Sequence, residues 1–155
     1  MSDTTFRGDV AELMTAAELV RRGYIVSRPL TNGAAYDLLV DLGENIVKIQ
    51  VKRASRTKTG AVRIVLSSSK YHRGRSSVSY AGRVDYLVGV DCDTREFYVV
   101  QGDNLKMAEI ALRDAPSRNN QQSGTRAAAD YKIDHWFPLK PMVDRSGIEP
   151  LTPSV

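Results

Sequence analysis

The stretch AYDLLVDLGENIVKIQVKR, residues 35–53, decides the fold. It reads as two strands, Ala35–Leu42 and Asn45–Arg53, joined at Gly43–Glu44. A two-residue loop fixes the register, so that Val40 faces Val47 and Leu38 faces Ile49 on an apolar side. Asp37 then stands opposite Gln50 on the other side, with Lys52 two residues further along the same strand. A slip of one residue would set apolar side chains against polar ones, which disfavours any other pairing.

This register places a carboxylate, a side-chain amide and an ammonium on one sheet face. A carboxylate with neutral oxygens is a ligand set for Mg²⁺, which prefers oxygen and keeps several waters. Such an ion can bridge a phosphodiester and stabilise charge on its oxygens. Lys52 is placed to orient or deprotonate an attacking water and to neutralise phosphate. Taken singly, Asp37 reads as a surface acid near a turn and Lys52 as an edge-strand lysine; the register makes them a group.

Upstream, Asp9 is expected to cap a helix reaching about Arg22, with Val10, Leu13, Met14, Ala17 and Val20 as its apolar face and Gly23 ending it. Glu18 shares a stripe with Ala11, Thr15 and Arg22 and reads as solvated, paired to Arg22 at i,i+4. Glu12 lines up with Ala16 and Leu19, beside a packed surface where a carboxylate needs a cation or a donor. A salt bridge and support of a metal site are equal readings of Glu12. A short strand is expected at Tyr24–Ser27 and a turn at Thr31–Gly33.

Downstream, a strand is expected at Ala61–Leu66, then a serine-rich loop over Ser67–Ser79 with room for one helical turn. The pair Arg83–Asp91 and Glu96–Gln101 reads as a hairpin around Asp-Cys-Asp-Thr. A second helix is expected over Asn104–Leu112, a polar loop over Ser117–Gly124, and a short helix or strand within Ala127–Trp136. Trp136, beside Phe137, reads as core or interface packing. One domain over 1–137 and a proline-containing tail over 138–155 complete the chain. A leading helix, a mixed sheet and further helix indicate an α/β fold.

The 155 residues suit a single core. One cysteine, Cys92, excludes an internal disulfide, and with only two histidines a structural zinc site is not expected. No apolar run approaches a membrane span, and Met1–Arg7 holds no signal-peptide core, so no membrane association and a cytoplasmic location are expected. The net charge of +4 hides an uneven distribution. Asn45 to Val84 holds ten basic residues and no acid, while the rest carries twelve basic and eighteen acidic residues. A one-signed segment with nine Ser and Thr hydroxyls implies a polyanion partner.

The order of a helix with Glu12, Tyr36-Asp37 on one strand and Gln50-Val51-Lys52 on the next resembles the PD-(D/E)xK nuclease superfamily. More narrowly, YDLLVD, KIQVK, VDYLVGVDCDTREFYVV and SRNNQQSGTRAAADYKIDHW resemble the group I intron-encoded homing endonucleases of PD-(D/E)xK type, over roughly residues 6–137. The resemblance implies a restriction-endonuclease-like core, a mixed central β-sheet flanked by α-helices, that hydrolyses double-stranded DNA with Mg²⁺, Mn²⁺ being able to substitute. It implies Asp37 as the motif aspartate, Gln50 at the second acidic position, Lys52 as the motif lysine and Glu12 as the helix-borne glutamate. Asp37, Gln50, Glu12 and the main-chain carbonyl of Val51 are then the implied metal ligands. Two residues depart from the motif: Tyr36 stands for proline, and Gln50 for an acid, which removes one negative charge from the metal site.

A homo-oligomer, dimer or tetramer, is expected of an enzyme that cuts two strands. Lys58, Arg63, Lys70, Arg73 and Arg75 are the candidates for DNA contact, with Asn119, Asn120 and Gln121 as a second polar cluster. Two alternatives stay open: a structure-specific nuclease such as a Holliday junction resolvase, against which Gln50 argues, and a DNA-binding protein of the same fold without catalysis.

Overall fold

The computed structural model describes residues 3–31, 33–68, 78–115 and 126–138. Its helices are α1 (Asp3–Arg21) and the single turn α2 (Ile133–Trp136). Its strands are β1 (Ile25–Ser27), β2 (Leu38–Asp41), β3 (Ile46–Arg53), β4 (Ser55–Arg56), β5 (Val62–Val65), β6 (Ser67–Ser68), β7 (Val78–Ser79), β8 (Tyr86–Asp91), β9 (Glu96–Gln101), β10 (Glu109–Arg113) and β11 (Arg126–Ala127).

The central hairpin pairs in the expected register, Leu38 with Ile49 and Val40 with Val47. Leu42 N–H donates to the Asn45 carbonyl at 2.8 Å, closing the Gly43–Glu44 loop, and Gly43 takes a φ of 95° that a side chain would resist. β3 is the pivot of a mixed five-stranded sheet, β1-β2-β3-β8-β9. It runs antiparallel to β2 and parallel to β8, and the chain between β3 and β8 supplies β4 to β7. β8 and β9 form the expected hairpin, pairing from Tyr86 against Gln101 to Asp91 against Glu96.

Both faces of this sheet are buried. Leu38, Val40, Ile49, Val51, Val88, Val90 and Val99 pack on the side of α1 and α2. Leu87, Tyr98 and Val100 point the other way, into a core shared with Val62, Ile64, Ile110 and Leu112 of a small four-stranded sheet, β11-β10-β5-β4. The α/β class and the restriction-endonuclease-like arrangement of a mixed sheet with flanking helices are as expected. No described helix is long and apolar enough to cross a membrane.

Three local expectations fail. First, α1 begins at Asp3, so Asp9 lies within the helix and does not cap it. Its C-terminus is as read: Gly23 has φ 86°, and Tyr24 N–H donates to the Leu19 carbonyl at 3.1 Å. Second, the buried stripe of α1 is Ala11, Thr15, Leu19 and Arg22, whereas Leu13 and Val20 are more than half exposed and Ala17 is exposed too. Polar residues can occupy that stripe because the fold satisfies them. Thr15 donates to the Ala11 carbonyl at 2.9 Å, and the Arg22 guanidinium bonds Glu18, Asp134 and the Phe137 carbonyl. Glu18 is accordingly a partly shielded anchor for Arg21 and Arg22, not a solvated acid.

Third, the segment expected as a second helix is a 3₁₀ turn, Gly102–Lys106, followed by β10. Ile110 and Leu112 are buried while Glu109, Ala111 and Arg113 are exposed, a period of two that suits pairing with β5. The expected loop over Ser67–Ser79 begins and ends in the short pair β6–β7; residues 69–77 lie outside the described chain. The tail from 139 onward lies outside it as well.

Gly89 shows how tightly the two sheets meet. It is the β8 partner of Lys52, and a Cβ added there would lie 2.5 Å from Ile64 Cδ1 and 2.7 Å from Ile64 Cγ1. Ile64 is fully buried, so it has little room to turn away. Gly89→Ala should therefore cost about 1–3 kcal/mol of stability by overpacking. A denaturant midpoint equal to wild type would show that the sheets separate freely, contrary to this packing.

Candidate active site

Asp37 sits one residue before β2, its N–H donating to the Ile49 carbonyl at 2.9 Å. That bond aims its side chain at β3. Asp37 Oδ2 accepts the Val51 N–H at 2.8 Å and a short bond from Gln50 Nε2. The same amide nitrogen lies 3.2 Å from the Val51 carbonyl oxygen. Gln50 is 7% exposed, so this amide is held in place by packing as well as by its bonds. The hairpin register thus brings Asp37, Gln50 and Val51 together as the sequence suggested.

Lys52 follows two residues along β3, half-buried, with its Nζ 5.3 Å from the centre of the Tyr80 ring. Tyr80 is buried immediately after β7, so its ring is a fixed surface under the ammonium. Burial pushes the Asp37 carboxyl above its ordinary range. The Val51 amide, the charges of Lys52 and Arg28 and the Gln50 amide all oppose that rise.

Glu12 comes from α1 and lines a cavity of about 240 Å³ together with Asp37, Asp9, Arg28, Thr31 and Tyr36. Arg28 Nη2 donates to Glu12 Oε2 at 2.6 Å. Burial raises the Glu12 carboxyl, Asp37 adds to the rise, and Arg28 counters it. Both readings of Glu12 therefore have a physical footing: it is in a salt bridge, and it shares a cavity with Asp37.

Among the described residues no three His, Cys, Asp or Glu side chains converge as a metal cage. A cation here would rest on the Asp37 carboxylate and on Glu12 across the cavity, with neutral oxygens and water making up the remainder. The Gln50 amide suits this. Its nitrogen, a donor carrying partial positive charge, lies between two oxygens, Asp37 Oδ2 and Val51 O. A half-turn of the amide exchanges that nitrogen for Oε1, leaving three oxygens around one point. The donor set fits a hard divalent cation.

The basic segment is less free in space than in sequence. Arg56 is held by Asp91, Glu96 and Asp114, each at 2.8 Å. Arg63, an expected DNA contact, pairs with Glu109 on the neighbouring strand. Lys58 is exposed at the β4–β5 turn. Lys70, Arg73, Arg75, Asn119, Asn120 and Gln121 lie outside the described residues. Trp136 packs against Tyr86 with ring centres 5.9 Å apart, and its buried Nε1 has no hydrogen-bond partner among the described residues. Cys92 is free and half-buried, away from the cavity.

Arg28 and Tyr80 are the site residues that sequence reasoning missed. Arg28 stands alone before Pro29, and Tyr80 ends a serine-rich stretch. Neither has a spacing that links it to Asp37 or Lys52.

A family model described as PD-(D/E)XK endonuclease matches residues 2–134. Among solved structures, that of a bacterial homing endonuclease, I-Ssp6803I, is similar with a TM-score of 0.73 and 24% identity. The match covers 88% of this chain and 94% of that one. No curated protein matches the chain.

Proposed function

This chain belongs to the PD-(D/E)XK endonuclease family, and from that premise we propose that it cuts double-stranded DNA at a specific sequence, using Mg²⁺ or, in its place, Mn²⁺. The observation that carries the reading is the meeting of Asp37 Oδ2, the Gln50 amide and the Val51 carbonyl beside Lys52. In this reading Asp37, Gln50 Oε1, the Val51 carbonyl and Glu12 hold the cation. When bound, a divalent cation supplies Lewis-acid polarisation of a phosphoryl oxygen. Lys52, steadied over the Tyr80 ring, orients the attacking water and offsets charge that builds on the phosphate. The buried floor of β3 keeps these groups in register, and preorganisation of this kind is what makes such charges effective.

Lys58 and Arg63 are our described candidates for phosphate contact, Arg63 after leaving Glu109. Lys70, Arg73, Arg75, Asn119, Asn120 and Gln121 belong to the same proposal. The test is duplex DNA incubated with the protein in Mg²⁺ or in EDTA. Double-strand cutting in Mg²⁺ alone is the expected result. Cutting restricted to four-way junctions would make the chain a resolvase. Salt-sensitive binding with no cutting would make it an inactive relative.

Homo-oligomerisation is part of the proposal, because two strands need two sites. Phe6, Leu13 and Val20 recur every seven residues along α1 and are 59%, 57% and 58% exposed. An apolar stripe of this kind suits a second copy. Leu13→Glu combined with Val20→Glu should lower the sedimentation mass to that of a monomer and leave the circular dichroism unchanged. An unaltered oligomer would place the interface elsewhere.

A further inference from the structure

Arg28 stands between the end of β1 and Pro29, half-exposed at the cavity that Glu12 and Asp37 share. Its guanidinium bonds Glu12 directly at 2.6 Å, and its charge is also felt by Asp37. Lys52 bears on Asp37 too, but from the β3 side and against Tyr80. Arg28 is thus the cation in contact with the helix-borne acid. Asp9, on the same wall of the cavity, adds negative charge to Glu12 and increases the need for a counter-ion there.

A guanidinium is a planar fork of donors suited to carboxylate or phosphate, and it stays charged at any working pH. A divalent cation held by Glu12 and Asp37 satisfies those carboxylates in its place. The guanidinium is then left at the mouth of the cavity without its carboxylate, where a phosphate would be the next anion. A pair of this kind that only pinned the chain after β1 to α1 would be a partly exposed salt bridge, and such bridges contribute little to stability.

We propose that Arg28 is a further residue of this active site, a counter-ion to Glu12 before the divalent cation binds and a ligand of the scissile phosphate afterwards. The inference rests on the metal-dependent reading above. It makes Arg28 and the cation competitors for Glu12. Removing Arg28 must therefore strengthen metal binding while it weakens catalysis, two effects of opposite sign that a merely structural bridge would not give.

The experiment titrates Mn²⁺ into the full chain without DNA, by calorimetry, for wild type, Arg28→Ala, Arg28→Lys and Asp37→Ala. Cutting of a duplex is measured in parallel. Arg28→Ala should bind Mn²⁺ several-fold more tightly and lose about 10²-fold in kcat with KM little changed. Arg28→Lys keeps the charge, so its Mn²⁺ affinity should stay near wild type, while its kcat falls for want of the fork. Unchanged or weaker Mn²⁺ binding in Arg28→Ala overturns the proposal. If Asp37→Ala alone abolishes Mn²⁺ binding in that case, the metal-dependent reading survives without it. If wild type binds no Mn²⁺ at all, both fall.

Discussion

Lys52→Ala should lower DNA cutting by about 10³-fold or more while the protein still binds duplex, because the ammonium is asked to meet charge that exists only in the transition state. Lys52 can be removed at little structural expense. It is half-buried on β3, and the aromatic face of Tyr80, which it leaves, tolerates an apolar neighbour. Asp37→Ala should abolish cutting as fully but for a different reason, since it removes the carboxylate that faces Gln50 and Val51. Asp37→Ala also orphans the Val51 N–H and leaves the Gln50 amide only its Val51 carbonyl acceptor, so a loss of about 1–3 kcal/mol in stability should accompany it. Filter binding, nicking assays and denaturation separate these effects. Either variant cutting at the wild-type rate in Mg²⁺ would remove that residue from the mechanism.

Gln50→Glu should produce a protein whose stability depends on metal. In wild type the amide nitrogen satisfies Asp37 Oδ2 and approaches the Val51 carbonyl. A glutamate would replace that donor with a second carboxylate, in a place 7% exposed. Relief comes only from protonating one acid or from a cation between them. In EDTA at neutral pH the variant should lose on the order of 2 kcal/mol, the cost of a buried group left without its partner. Mg²⁺ should restore most of it, through binding to the folded state alone. Cutting should be retained, with a shifted metal preference. The wild-type site leans the same way: Asp37 is raised above its unfolded value of 3.8, so its burial removes stability as pH climbs past that value. Equal melting of Gln50→Glu with and without Mg²⁺ would show that Gln50 does not face Asp37 in solution.

How much of this was legible in the sequence follows from where each signal resides. The β2–β3 hairpin was readable to the residue because a two-residue loop and apolar alternation both fix register, and they agree. The β8–β9 pair was readable as two strands around a turn but not in its register, because its loop, Cys92–Arg95, is longer and β8 is buried on both faces. Helix α1 was legible as a helix but not in its orientation. Leu13 and Val20 outrank Thr15 and Arg22 in hydrophobicity, and only the tertiary partners Asp134 and Phe137 make Arg22 a core residue. β10 was misread because Leu105, buried in a 3₁₀ turn just before the strand, stands seven residues from Leu112, which imitates a helical repeat. Part of the basic block is paired within the fold, which its sequence does not reveal. Its charges are local in sequence, while the acids that pair Arg56 and Arg63 arrive from Asp91, Glu96, Glu109 and Asp114, far along the chain. Arg28 and Tyr80 belong to the site only through tertiary packing, which no spacing encodes.

The measurement that bears most directly on the central claim is end-sequencing of a randomised duplex library after incubation with the protein and Mg²⁺, beside the same library treated with Lys52→Ala. Recurrent paired ends at one sequence, present with wild type and absent with the variant, are the predicted result. Ends at random positions would contradict sequence specificity. An identical yield of ends from both proteins would contradict the Asp37–Gln50–Lys52 site itself.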